Sequence, residues 1–128
     1  MTKIQNTKEY RKPIKQYDLE ERTFRFAKRC REFSKKLPRT LENIEDRKQL
    51  VRASGSQGAN YIEANEALSK KDFVHRIKIC RKEAKESRYW LKLVDTNDDK
   101  DLEKERKELI QEATELMKIF SSIMRKSQ

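Results

Sequence analysis

Lys71, Lys78, Lys85 and Lys92 recur every seven residues, with Arg81, Lys82 and Arg88 among them. A seven-residue interval returns to nearly the same side of an α-helix, so these cations form one positive stripe beside the helix's apolar seam. The chemistry open to such a stripe is neutralisation of phosphates, which makes RNA or DNA its obvious complement. Tyr89 and Trp90 adjoin it and offer flat faces for stacking bases or for packing against another helix or subunit. The whole chain leans the same way: 32 Lys and Arg against 22 Asp and Glu leave a net charge of +10. The segment 69–94 holds nine cations and three acids. Attraction to polyanions follows from this balance, and the competing use of the same charge is solubility or the docking of a protein partner.

Other reactive residue types are sparse. His75 has Asp72 three residues before it, which gives two ligands where a structural zinc needs four and a catalytic one usually three. Cys30 and Cys80 fall on apolar seams, where cysteine behaves as a small apolar residue, and no base is spaced to activate either thiol. The carboxylates of the last 30 residues read as a solvated face, and without a Glu-x-x-His pattern they do not suggest a di-iron site. The expectation is therefore no catalytic residue, no metal and no cofactor. A separate polar group, Arg52, Asn60, Glu63 and Asn65 with Glu86 from the next helix, is expected to be structural, its members satisfying one another at the edge of the core and fixing helix register.

These residues need long helices to carry them. In 128 residues there are two glycines and two prolines, while 42% of the chain is charged and 34% apolar. So few turn formers exclude the many tight reversals of an all-β fold, and the wealth of Lys, Arg, Glu and Leu favours helix. Residues 1–17, with Lys3, Lys8, Arg11, Lys12 and Lys15, lack apolar periodicity and read as a flexible basic arm. The domain is expected over 18–126. A first seam runs Leu19, Thr23, Phe26, Cys30, Phe33, Leu37 and ends at Pro38. A second, capped by Thr40, runs Leu41, Ile44, Lys48, Val51, Gly55, Gly58, Ile62, Asn65. The third, capped by Ser69, runs Phe73, Ile77, Cys80, Ala84, Ser87, Leu91, Val94. After the acidic turn Asp95 to Asp99, the fourth runs Leu102, Arg106, Leu109, Ala113, Leu116, Phe120, Ile123. Short connections make this an all-α, antiparallel up-down-up-down four-helix bundle. The glycines in Ala53-Ser54-Gly55-Ser56-Gln57-Gly58-Ala59 lack the Gly-Lys-Ser/Thr ending of a phosphate loop and are expected to let a neighbouring helix approach closely.

The run Gln49-Leu50-Val51-Arg52-Ala53-Ser54-Gly55-Ser56-Gln57-Gly58-Ala59-Asn60-Tyr61-Ile62-Glu63-Ala64-Asn65 is followed by Ser69-Lys70-Lys71-Asp72-Phe73 and Glu83-Ala84-Lys85-Glu86-Ser87-Arg88-Tyr89-Trp90-Leu91. Together these resemble the bacterial four-helix-bundle proteins related to the 23S rRNA intervening-sequence proteins, over about residues 18–124. The chain departs from many members at Glu63-Ala64-Asn65, where they carry Ala-Glu-Gly. The resemblance implies a homopentamer with a central channel. It also implies kinship with the accessory proteins of diversity-generating retroelements, basic pentamers that bind a reverse transcriptase and nucleic acid. Counting faces gives an independent reason to expect assembly: Ile110, Met117 and Met124 form a second apolar row on the fourth helix, and Tyr89 and Trp90 flank the third. These five residues are the expected oligomer interface. The expected function is a non-enzymatic, oligomeric binder of RNA or DNA phosphates, with a protein-interaction scaffold as the alternative. No apolar run is long enough to span a membrane, and residues 1–17 lack the apolar stretch of a secretory signal, so the expected location is cytoplasmic.

Overall fold

A computed structural model describes residues 12–127 of the chain. Four α-helices follow one another, α1 Lys12–Lys35, α2 Leu41–Asn65, α3 Lys70–Leu93 and α4 Lys100–Lys126, and no strand is present among the described residues. Each helix packs on its neighbours in sequence, and α1 closes the square against α4. Contacts between distant residues fix the directions as antiparallel: Glu20 meets Asn65, Arg52 meets Glu83, Arg88 meets Thr114, and Arg22 meets Glu112.

The helix ends follow from side chains that accept from otherwise orphaned amides. Thr40 accepts from Asn43 N at 3.1 Å, Ser69 from Asp72 N at 3.0 Å and Asp99 from Leu102 N at 2.9 Å. Asn97 and Asp98 take the left-handed backbone, φ 57° and 59°, to turn the chain into α4. Such conformations suit Asn and Asp, whose short polar side chains bond locally. Helix α1 starts at Lys12, six residues before the boundary read at Asp18; Pro13 fits there because the first turn has no use for its missing N–H. The remainder of the basic arm, residues 1–11, lies outside the described residues.

The core is built from Phe26, Phe33, Leu50, Ile77, Leu91, Leu109, Leu116 and Phe120, all fully buried. The seams of α1, α3 and α4 point inward as expected, with Phe73, Arg106 and Ile123 half-buried at the margins. The seam read for α2 is one residue out of phase. Its inward face is Asn43, Leu50, Ser54, Gln57, Tyr61 and Ala64, whereas Leu41 is 73% exposed and Ile62 53% exposed. Buried polar groups set this phase because they find partners inside. Asn43 Nδ2 donates to Pro38 O at 3.0 Å and Asp95 O at 2.8 Å, its Oδ1 accepts from Asp95 N at 2.9 Å, and the amide thereby ties two turns together. Gln57 Nε2 donates to Thr23 O at 2.9 Å. Beside it Gly58 supplies the close approach expected of a seam glycine, since a Cβ there would lie 3.4 Å from the Thr23 side chain and 3.5 Å from its carbonyl oxygen. Gly55 does not: a Cβ there meets nothing nearer than the Arg31 guanidinium at 3.7 Å.

Candidate nucleic-acid interface

Helix α3 is electrically two-sided. Two of its three acids, Glu83 and Glu86, turn toward α2, where Arg52 Nη1 donates to Glu83 Oε2 at 3.5 Å and Nη2 pairs with Glu86. Glu83 Oε1 sits 3.3 Å from Arg52 Nη2, near enough for charge attraction but not aligned as a hydrogen bond. Burial costs Glu83 its water, and the guanidinium replaces part of that solvation while the carboxylates hold the Arg52 pKa above its ordinary value. Asp72, the third, is exposed in the first turn; beyond that turn the side of α3 away from Glu83 and Glu86 is left to the cations.

Lys71, Lys78, Arg81, Lys82, Lys85 and Lys92 are all exposed, and none forms an ion pair with a carboxylate among the described residues. Arg88 is half-buried and donates to Thr114 Oγ1 at 3.2 Å, so it is partly committed within the bundle. From Lys71 to Lys92 the stripe extends about 32 Å at 1.5 Å per residue. At its start an open depression lined by Lys70, Lys71, Val74, His75, Lys78 and Ser127 enlarges the positive surface, and the α3 N-terminus adds the positive end of the helix dipole. His75 is an exposed member of this basic end. The neutral flank of α4 explains why the stripe stays unpaired: Ile110, Thr114 and Met117, spaced four and three apart, share the side of α4 that meets Arg88.

The expected polar cluster divides into three separate contacts. Arg52 joins Glu83 and Glu86, Asn60 Oδ1 accepts from Arg76 Nη1 at 2.9 Å, and Asn65 Nδ2 donates to Glu20 Oε2 at 2.9 Å. Glu63 is exposed and joins none of them. Each contact crosses between helices and fixes register. Glu83 was not legible as a member because nothing in its residue type marks it as buried.

The expected interface residues separate as well. Met124 is buried in the bundle's own core, so it cannot form a row with exposed residues; Ile110 and Met117 are half-buried against that core. The wider α4 face is covered in part by the bundle itself, because four helices around a square give each helix two neighbours to cover. Trp90 also packs against the core, and its Nε1 is buried without a partner among the described residues. Tyr89 is 57% exposed and stands edge-on to Trp90, ring centroids 5.0 Å apart.

Burial pushes the thiols of Cys30 and Cys80 up to about 12, leaving little thiolate at neutral pH, as suits side chains used for packing. Among the described residues no group of three His, Cys, Asp or Glu side chains is placed to hold a metal ion. No described helix is long and apolar enough to cross a membrane.

The sequence profile of the 23S rRNA-intervening sequence proteins matches residues 15–122. Among solved structures, a protein of unknown function from the S23 ribosomal protein family of Bacteroides thetaiotaomicron VPI-5482 is 30% identical. The match covers 82% of this chain and 96% of that one, with a TM-score of 0.71. No curated protein sequence matches.

Proposed function

The chain belongs to the family of 23S rRNA-intervening sequence proteins, and from that premise we propose that its α3 stripe binds phosphates of RNA or DNA in the cytoplasm without reading base identity. The supporting observation is that six exposed cations on one helix face have no described carboxylate partner. Five of the seven stripe residues are lysines, compact charges suited to backbone phosphates; direct readout of bases relies more on planar forks such as Arg, Asn and Gln placed in a groove. The protein acts by binding, with no catalytic step or cofactor.

Several copies, five by the family resemblance, would present several stripes to one strand, and linked weak contacts add to useful avidity. Tyr89, with its exposed ring beside the stripe, is available to stack an unpaired base. A mobility shift at two salt concentrations tests the reading. If Z phosphates are neutralised, log affinity falls with log salt at about −0.9Z on duplex DNA and about −0.7Z on single strands. Absence of binding to any RNA or DNA at about 50 mM salt overturns it and leaves the charge to protein docking.

A further inference from the structure

At the end of the bundle away from the α3 N-terminus, Thr40, Leu41, Glu42, Glu45 and Asp46 from the start of α2 and Leu93 and Asp95 from the end of α3 line one open depression. In a chain of net charge +10 this is an acidic site, and it contains two exposed leucines, Leu41 at 73% and Leu93 at 50%. Its carboxylates crowd one another: the Asp46 pKa is raised by burial and then by Glu42 and Glu45. The one described ion pair among them joins Glu45 to Lys48 at 3.4 Å within the same helix, an exposed pair of small worth. An occupant matched to this surface has cations interleaved with an apolar side chain.

Residues 1–11 of the chain have that composition, with Lys3, Ile4, Lys8, Tyr10 and Arg11 against a single acid, Glu9. They cannot reach the depression of their own subunit. The Asn65 to Glu20 hydrogen bond sets the register of α1 against α2. Lys12 lies eight residues, about 12 Å, beyond Glu20, and Glu45 lies twenty residues, about 30 Å, back from Asn65 in the opposite direction, some 42 Å in all. Lys3 is nine residues from Lys12 and extends at most about 32 Å from it.

We propose that the acidic depression receives residues 1–11 of a second copy of the chain, Ile4 meeting Leu41 and Leu93 while Lys3 and Lys8 meet Glu42, Glu45, Asp46 and Asp95. The basic arm is then a strap between subunits, and the α3 stripe is left to phosphates. This assignment does not rest on nucleic-acid binding, and either can fail alone.

Disulfide trapping in the full-length chain tests it, because Cys30 and Cys80 are buried and do not compete. An Ile4→Cys chain mixed with a differently tagged Leu41→Cys chain is oxidised mildly and run without reductant. A link between the two tags is expected, and Glu42→Lys, Glu45→Lys and Asp46→Lys in the Leu41→Cys chain should lower its yield by roughly tenfold or more. Ile4→Cys mixed with Leu68→Cys, a position 98% exposed in the α2 to α3 turn at the far end, should give only background. Equal linking to Leu68→Cys, a yield indifferent to the charge reversal, closure within a single chain carrying both cysteines, or no link at all overturns the proposal.

Discussion

Helices α1 and α3 are both rich in Lys and Arg, and they use them differently. Arg22 and Arg29 on α1 and Lys36 just past its end stand seven residues apart and reach across to α4, where Glu112 and Glu115, Glu108, and Glu105 receive them in antiparallel order. Arg22 is held most firmly, donating from Nε to Glu112 Oε2 at 2.7 Å and from Nη2 to Glu112 Oε1 at 2.9 Å and Glu115 Oε1 at 2.8 Å. On α3 the stripe faces solvent beside a neutral flank of α4. The same residue type thus joins helices where the neighbour is acidic and stays available where the neighbour is not. Net charge alone cannot distinguish the two.

The largest expected effect separates the two sets by binding. Lys78, Arg81, Lys82 and Lys85 changed together to Glu should lower affinity for RNA or DNA by about 100-fold or more and reduce the salt slope by about 3. These are exposed positions without described partners, so urea unfolding should move by no more than about 0.5 kcal/mol for each. A large loss of stability in this variant would erase the distinction.

The converse variant, Arg22→Ala, Arg29→Ala and Lys36→Ala, should leave nucleic-acid affinity within a few-fold and lower stability by about 2 kcal/mol in total. The figure is modest because these pairs are partly exposed and each contributes at most about 1 kcal/mol. Circular dichroism through a urea titration reads the stability, and the mobility shift reads the affinity. A hundredfold loss of binding here would mean that α1 also carries phosphate contacts.

How much of this was legible in the sequence depended on which signal each element used. The α3 seam keeps strict three and four spacings and is apolar but for Ser87, so pattern and packing agree from Ile77 to Val94, with Phe73 half-buried at the margin. In α2 the inward face is Asn43, Ser54 and Gln57 beside Leu50 and Tyr61, while the apolar spacing runs through Leu41 and Ile62 on the solvent side. Asn43 is invisible for a further reason: its partners Asp95 and Pro38 come from two turns, one of them 52 residues away. The α4 acids did carry a signal. Glu105, Glu108, Glu112 and Glu115 are spaced three, four and three, a stripe in their own right, and their complement, Arg22, Arg29 and Lys36, repeats every seven residues.

A smaller expected effect leaves both charge sets untouched. Gly55 lies inside α2 with room for a methyl group, and glycine in a helix interior costs about 1 kcal/mol relative to alanine. Gly55→Ala should raise stability by about that amount without changing binding. Because its nearest neighbour is the guanidinium of Arg31, which belongs to neither set, any change in affinity would show that bundle rigidity contributes to binding as well as surface charge.

The smallest effect concerns acid. Hydrogen bonds from Gln111 and then Arg22 hold the Glu115 carboxyl below its ordinary value of 4.5, and the Thr96 hydroxyl, then Arg106, do the same for Glu103. A carboxyl with a depressed folded-state pKa contributes stability that is present above its unfolded value and lost as pH falls through the folded one. Asp46 has the opposite sign. Its raised pKa contributes stability fully present below the unfolded value and lost as pH rises through the folded one, so acidification partly offsets the loss elsewhere. Urea midpoints compared at about pH 6 and pH 3.5 should therefore fall modestly in the natural chain, fall less in Arg22→Ala and fall more in Asp46→Asn. Between α1 and α4 the contact that acid weakens is the one from Arg22 to Glu115, whereas the α3 stripe has no described carboxylate partner to lose. An identical pH dependence in all three proteins would mean that Arg22 and Asp46 have no part in it, and that the acid response belongs to carboxylates outside both faces.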